Sequence, residues 1–144
     1  MKKTMICVYA PSNTGKTTTI KKLHELLGGS AKVRNNRNDF VDVIMIGKTK
    51  VGCESAGDPD SEQEEDIEYL MGKERCDLVI GASRTRGKTV KTVEMLEKKY
   101  KYRVIWLTPS YVYTPLNKEA HDVLAQKNAE IIREFVNKLI QGRI

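Results

Sequence analysis

The chain of 144 residues lacks any apolar run near the ~20 residues that a membrane helix needs, so no membrane-spanning helix and no membrane partner are expected. Cysteine is scarce. Cys7, Cys53 and Cys76 are odd in number and widely spaced, which argues against a disulfide framework and against a CxxC metal site. Three reduced, mostly buried thiols are expected instead. Histidine is scarcer still: His24 and His121 fall far apart in helical patterns, suggest no metal centre, and are expected at the surface. There is no internal repeat, low-complexity segment or linker, which fits one domain over residues 1–144. The apolar part of the N-terminal MKKTMICVYA spans only Met5 to Ala10, too short for the h-region of a signal sequence. A cytoplasmic protein is expected.

What is present is an ordinary globular composition, 40% hydrophobic and 31% charged. The net charge of +6 and the pI of about 9.2 suit phosphate-rich partners, nucleotides or nucleic acid. They suit equally a basic surface kept for solubility.

Strand and helix patterns alternate. Lys3 to Ala10 reads as a buried strand, and Lys16 to Leu27 as a helix that Gly28-Gly29 stops. KVRNNRND reads as a loop. Phe40 to Ile46 and Thr49 to Glu54 read as two strands joined through Gly47-Lys48, a hairpin. SEQE, Ser61 to Glu64, has the form of a capping box ahead of Ile67, Leu70 and Met71. A strand is expected over Asp77 to Ala82, a helix over Thr89 to Tyr100 and a strand over Arg103 to Leu107. A last helix opens at Thr114-Pro115, with Ala120, Leu124, Ile131, Phe135 and Leu139 as its apolar face and Val123, Ile132 and Val136 beside them. The alternation implies an α/β fold with a mostly parallel sheet, helices on both faces and one antiparallel hairpin edge.

The stretch APSNTGKTTT, Ala10 to Thr19, joins the first strand to the first helix. A polyphosphate needs many hydrogen-bond donors and little steric bulk. A loop entering a helix offers free backbone N–H groups and the positive end of the helix dipole. Ser12, Asn13, Thr14 and Gly15 form that loop, and Gly15 lets the backbone come close to a phosphate. Lys16 can reach the β- and γ-phosphates. The Thr17 hydroxyl can ligate Mg²⁺, a hard cation that prefers oxygen, and Thr18 can reach the α-phosphate.

Ala10-x4-Gly15-Lys16-Thr17 matches the Walker A pattern with alanine in the first glycine position, and the chain resembles the P-loop NTPase superfamily. The specific motif lies in the first thirty or so residues. The resemblance implies a three-layer α/β P-loop NTPase fold that binds Mg²⁺ with ATP or GTP. It also implies a carboxylate at the end of a neighbouring strand, holding the Mg²⁺ shell or orienting water. Two acids compete for that role, Glu54 and Asp58. The segment ESAG resembles the D-x-x-G of small GTPases, as does the hairpin before it, which would give Glu54 the metal role and Gly57 a backbone N–H aimed at the γ-phosphate. The N-K-x-D guanine-reading pattern is absent from the expected strand end, where the chain reads WLTPS, so ATP is favoured over GTP.

SRTRGKT, Ser83 to Thr89, follows a strand, and ligands of open α/β sheets sit at the carboxyl ends of strands. Arg84 and Arg86 would stabilise a transferring phosphoryl group or clamp an acidic small-molecule acceptor; a solvated basic turn is the alternative. In SYVYTP, Tyr111 or Tyr113 can stack on a base or simply pack. RNNRN, Arg34 to Asn38, and KKYKYR, Lys98 to Arg103, are the only nucleic-acid-like stretches. In the second, Tyr100 and Tyr102 are expected to pack inward.

Three functional classes follow. The leading one is a Mg²⁺-nucleotide-binding NTPase that hydrolyses or transfers the γ-phosphate, with a small-metabolite or nucleotide kinase as its variant. The second is a module that binds nucleotide without turnover, and the third, least favoured, a nucleic-acid-binding protein.

Overall fold

A computed structural model describes residues 1–11, 13–30, 39–112 and 114–144. Ser12, the RNNRN stretch and Tyr113 lie outside the described residues. Five strands form one sheet in the order β2-β3-β4-β1-β5. They are β1 (Thr4–Tyr9), β2 (Val41–Ile46), β3 (Thr49–Glu54), β4 (Leu78–Ser83) and β5 (Arg103–Leu107). β1 lies parallel to β4 and β5, and β3 lies parallel to β4. β2 alone runs antiparallel, on β3. The chain is therefore an α/β protein with a mostly parallel sheet and one antiparallel pair, as the alternating pattern predicts.

The period-2 pleat of β1 sorts its side chains. Ile6 and Val8 enter one core with Ile20 and Leu23 of α1 (Lys16–Leu26) and Ala129, Ile132 and Val136 of α4 (Lys118–Ile140). Met5 and Cys7 enter the other, with Ile67 of α2 (Gln63–Glu68) and Val93 and Leu96 of α3 (Lys88–Tyr100). A strand buried on both faces reads as an apolar run, which is why β1 is legible. After α2 the chain makes a π-helical turn, Tyr69–Lys73, that adds Leu70 and Met71 to the second core.

Four details differ from the sequence reading. Ser61 forms only part of a capping box: its Oγ accepts the Gln63 N–H at 3.3 Å, but α2 starts at Gln63, whose buried Nε2 donates to the carbonyls of Ala82 (3.0 Å) and Thr89 (3.2 Å). α4 starts at Lys118, later than Thr114-Pro115, because the Asn117 side chain accepts the Ala120 N–H at 2.9 Å. The inner face of α4 is Ala125, Asn128, Ala129, Ile132, Val136 and Leu139, while Val123, Ile131 and Phe135 are exposed. Small alanines let α4 lie close along α1, and that contact turns the bulkier stripe outward. His24 is buried, not at the surface: its Nε2 lies 2.7 Å from Asp42 Oδ2 on β2, and its ring is 5.1 Å from that of Phe40.

The three cysteines are free and buried. Burial raises all three thiol pKa values, that of Cys76 to about 11, which disfavours their thiolate forms at neutral pH.

Candidate functional site

Parallel pairing brings the carboxyl ends of β1, β3, β4 and β5 to one edge. Tyr9 is level with Ser83, and the Ala10 N–H donates to the Ser83 carbonyl at 3.1 Å. The loop to α1 leaves from here. Asn13 (φ 62°) and Gly15 (φ 92°) both take left-handed backbone conformations, and Gly15 is the N-cap of α1. That conformation costs glycine nothing, and nothing crowds the space where a Cβ would sit. The first N–H groups of a helix have no acceptor within it, and here the cap residue carries no side chain to supply one.

Lys16 folds back over this loop. Its Nζ donates to the carbonyls of Ala10 (2.8 Å) and Pro11 (3.1 Å), and the residue is only 7% exposed. Burial holds its ammonium below the ordinary lysine range, against the opposing pull of Asp58.

Thr17 faces a group of oxygens. Its hydroxyl lies 3.5 Å from Asp39 Oδ1 and 3.4 Å from the Ser55 carbonyl, and Ser55 Oγ lies 3.4 Å from the same Asp39 oxygen. Ser55 and Phe40 fix that geometry: Phe40 N–H donates to Ser55 Oγ at 2.9 Å, and Ser55 N–H to the Phe40 carbonyl at 3.1 Å. Asp39 is buried at 4% exposure. Asn13, Gly15, Lys16, Thr17 and Thr18 line a cleft of about 630 Å³ together with Asp39, Asp58 and His121.

The two acids expected to compete have different fates. Glu54 is not among the cleft-lining residues and is completely buried. Its Oε1 accepts the Ala82 N–H at 2.7 Å, and its Oε2 has no hydrogen-bond partner among the described residues. Burial pushes its carboxyl well above the usual range, although the Ala82 N–H opposes the shift. β3 is also not the neighbour of β1, because β4 lies between them. Asp58 does line the cleft, and it pairs with Arg84 Nε at 3.2 Å. Gly57 makes this possible: a Cβ there would lie 2.7 Å from that of Ala82, so the turn passes close against the end of β4.

Gly81 makes room for Glu54 in the same way. A Cβ at Gly81 would lie 2.7 Å from Glu54 Oε1 and from Met5 Cε. Gly81→Ala is therefore expected to destabilise the fold by about 1–3 kcal/mol, read as a lower urea midpoint. An unchanged midpoint would mean that this contact relaxes freely.

Arg84 is half-buried, whereas Arg86 is exposed and away from the first cleft. Tyr111 lines a small hollow beside Thr14 and Thr18, where Asn128 anchors the loop by exchanging hydrogen bonds with the backbone of Ser110. Tyr102 is buried and Tyr100 half-buried against the second core, as expected for KKYKYR. Sequence reasoning missed Asp39 and His121. Asp39 follows a polar stretch, and only the β2–β3 pairing brings it to Thr17.

Among the described residues no group of three or more His, Cys, Asp or Glu side chains is arranged for a metal ion, and no helix is long and apolar enough to cross a membrane. No protein-family model matches the chain, and no curated protein matches it.

Proposed function

We propose that the protein is a Mg²⁺-dependent P-loop NTPase that holds a nucleoside triphosphate, ATP in preference to GTP, in the cleft over α1 and hydrolyses or transfers its γ-phosphate. One observation carries this reading. A buried lysine is poised over the glycine-capped start of α1, beside a hydroxyl that faces a carboxylate. Amides and dipole of the helix start suit the phosphate oxygens. Lys16 would leave the carbonyls of Ala10 and Pro11 for the β- and γ-phosphates, and Arg84 would offset charge developing on the transferred group.

The metal role goes to Thr17, Asp39 and Asp58. These are hard oxygen donors, and the 3.4–3.5 Å contacts around the Thr17 hydroxyl are loose for hydrogen bonds. When bound, Mg²⁺ would neutralise phosphate charge. Glu54 is a structural carboxyl in this reading, not a metal ligand, because it is sealed beneath β4.

Calorimetry with ATP, GTP and ADP, with and without Mg²⁺, tests the reading. Tight Mg²⁺-dependent binding of ATP is expected, and no binding of any nucleotide would refute it. Asp39→Asn is expected to reduce the Mg²⁺-dependent gain in affinity by roughly 10- to 100-fold, leaving metal-free binding unchanged. An intact Mg²⁺ effect in that variant would remove Asp39 from the metal shell.

A further inference from the structure

We propose that the amino-terminal edge of the sheet, opposite the nucleotide cleft, holds the sugar-phosphate backbone of double-stranded nucleic acid without reading its bases. The parallel pairing that gathers strand carboxyl ends at one edge gathers the starts of β1, β4 and β5 at the other. The Thr4 N–H donates to the Asp77 carbonyl at 3.1 Å, and the Arg103 N–H to the Lys3 carbonyl at 2.9 Å, so the three chain segments entering these strands lie side by side. These segments are residues 1–3, 73–77 and 101–103, and they carry six lysines or arginines against two acids. β1 runs from one edge to the other over six residues, so about 20 Å separates this face from the cleft.

Part of this charge builds a frame. Lys3 Nζ donates to the Arg75 carbonyl and lies 3.6 Å from Asp77 Oδ1. Asp77 Oδ2 accepts the Lys50 N–H at 2.8 Å, and Glu74 pairs with Lys50 Nζ at 2.6 Å, so both acids are engaged within the frame. The Tyr102 hydroxyl donates to the Cys76 carbonyl and ties the entry of β5 to that of β4. Lys73 sits 5.8 Å from the centre of the Tyr69 ring. The other four cations stand outside the frame. Lys2, Arg75, Lys101 and Arg103 are all exposed and form no ion pair among the described residues.

The chemistry selects the partner. Unpaired cations on a fixed frame suit a surface of closely and regularly spaced anions, and duplex nucleic acid carries one charge per about 1.7 Å of its axis, more densely than a single strand. Binding of unpaired bases needs a free aromatic face on which they stack. Tyr102 is the only aromatic residue of the three segments, and it is buried at 6% exposure. A lipid surface would require apolar side chains to insert beside the cations, and of Met1, Cys76 and Tyr102 only Met1 is exposed. In KKYKYR, then, Tyr102 serves the frame, and Lys101 and Arg103 face the partner.

The test is fluorescence anisotropy of the full chain with labelled DNA duplexes of about 20 base pairs, at salt from about 50 to 200 mM. Four phosphate contacts predict a plot of log affinity against log salt with a slope of roughly −3 to −4. Two duplexes of unrelated sequence should bind equally. Arg103→Gln alone should make the slope shallower by about one. Arg75→Gln, Lys101→Gln and Arg103→Gln together should bring it near about −1 and weaken binding at least about tenfold, with ATP binding unchanged. No binding at the lowest salt, an unchanged slope in the triple variant, or an equal loss in Arg86→Ala with Lys88→Ala at the other edge would each overturn the proposal. So would tighter binding of oligothymidylate than of duplex, or sedimentation with phosphatidylserine vesicles in place of duplex binding. None of these results bears on the triphosphate reading, which fails separately if Lys16→Ala leaves ATP affinity unchanged.

Discussion

Replacement of Lys16 by alanine is expected to weaken nucleoside triphosphate binding by roughly 30- to 1,000-fold, or about 2–4 kcal/mol, while the protein stays folded. On the proposed reading, the magnitude follows from removing one ammonium that would make charge-assisted hydrogen bonds to phosphate in a partly desolvated cleft. Stability should change little, because two effects oppose. The variant leaves the Ala10 carbonyl without the 2.8 Å bond from Nζ, whereas the Pro11 carbonyl keeps its bond from Thr14 Oγ1 at 2.6 Å. Against that loss, the fold no longer buries an ammonium whose pKa burial has lowered. A melting temperature within a few degrees of the wild type, with calorimetric binding lost, is the expected pair of results. Unaltered affinity would remove Lys16 from the phosphate site.

Glu54→Gln should change how stability depends on pH. The folded protein keeps the Glu54 proton well above the usual carboxylate range, because the carboxyl is wholly buried. The unfolded chain releases that proton near the ordinary glutamate value of about 4.5. The raised folded pKa means that the contribution of this group is fully present below about 4.5 and is lost as pH climbs towards the folded value. The loss proceeds at about 1.4 kcal/mol per pH unit. Glutamine has the same shape, and its Oε1 can still accept the Ala82 N–H, but it carries no proton to lose. The variant should therefore lack this slope and be the more stable protein at pH 7. Urea unfolding at pH 5, 7 and 8.5 measures it, and parallel curves for the two proteins would contradict a protonated Glu54. On the proposed reading, the Mg²⁺-dependent gain in ATP affinity should be kept in this variant and reduced in Asp39→Asn, which would separate a structural carboxyl from a metal-facing one.

Much of the fold was legible because its signals are local. β1 and β5 are short β-compatible apolar runs, and Gly47-Lys48 between two such runs announces the hairpin. The start of α1 just after Gly15 was legible for the same reason, because a local glycine-containing turn between an apolar strand and an amphipathic helix announces it. Strand order is different. Nothing near Glu54 records that β4 will slip between β3 and β1, or that this strand-end acid will be wholly buried. Two apolar stripes run along α4, and only the closeness of α1 decides which turns inward. His24 likewise reads as a lone surface histidine until Asp42 arrives from a distant strand.

That last contact has a mechanical consequence. The buried His24 ring ties the far end of α1 to β2, and a Cβ on Gly29 would come within 2.2 Å of it, so the chain leaves the helix tightly against that anchor. A shift of α1 along its axis would have to break this 2.7 Å contact. Gly29→Ala would press a methyl into that ring, so it should loosen the same fastening that ties the end of α1 to the sheet.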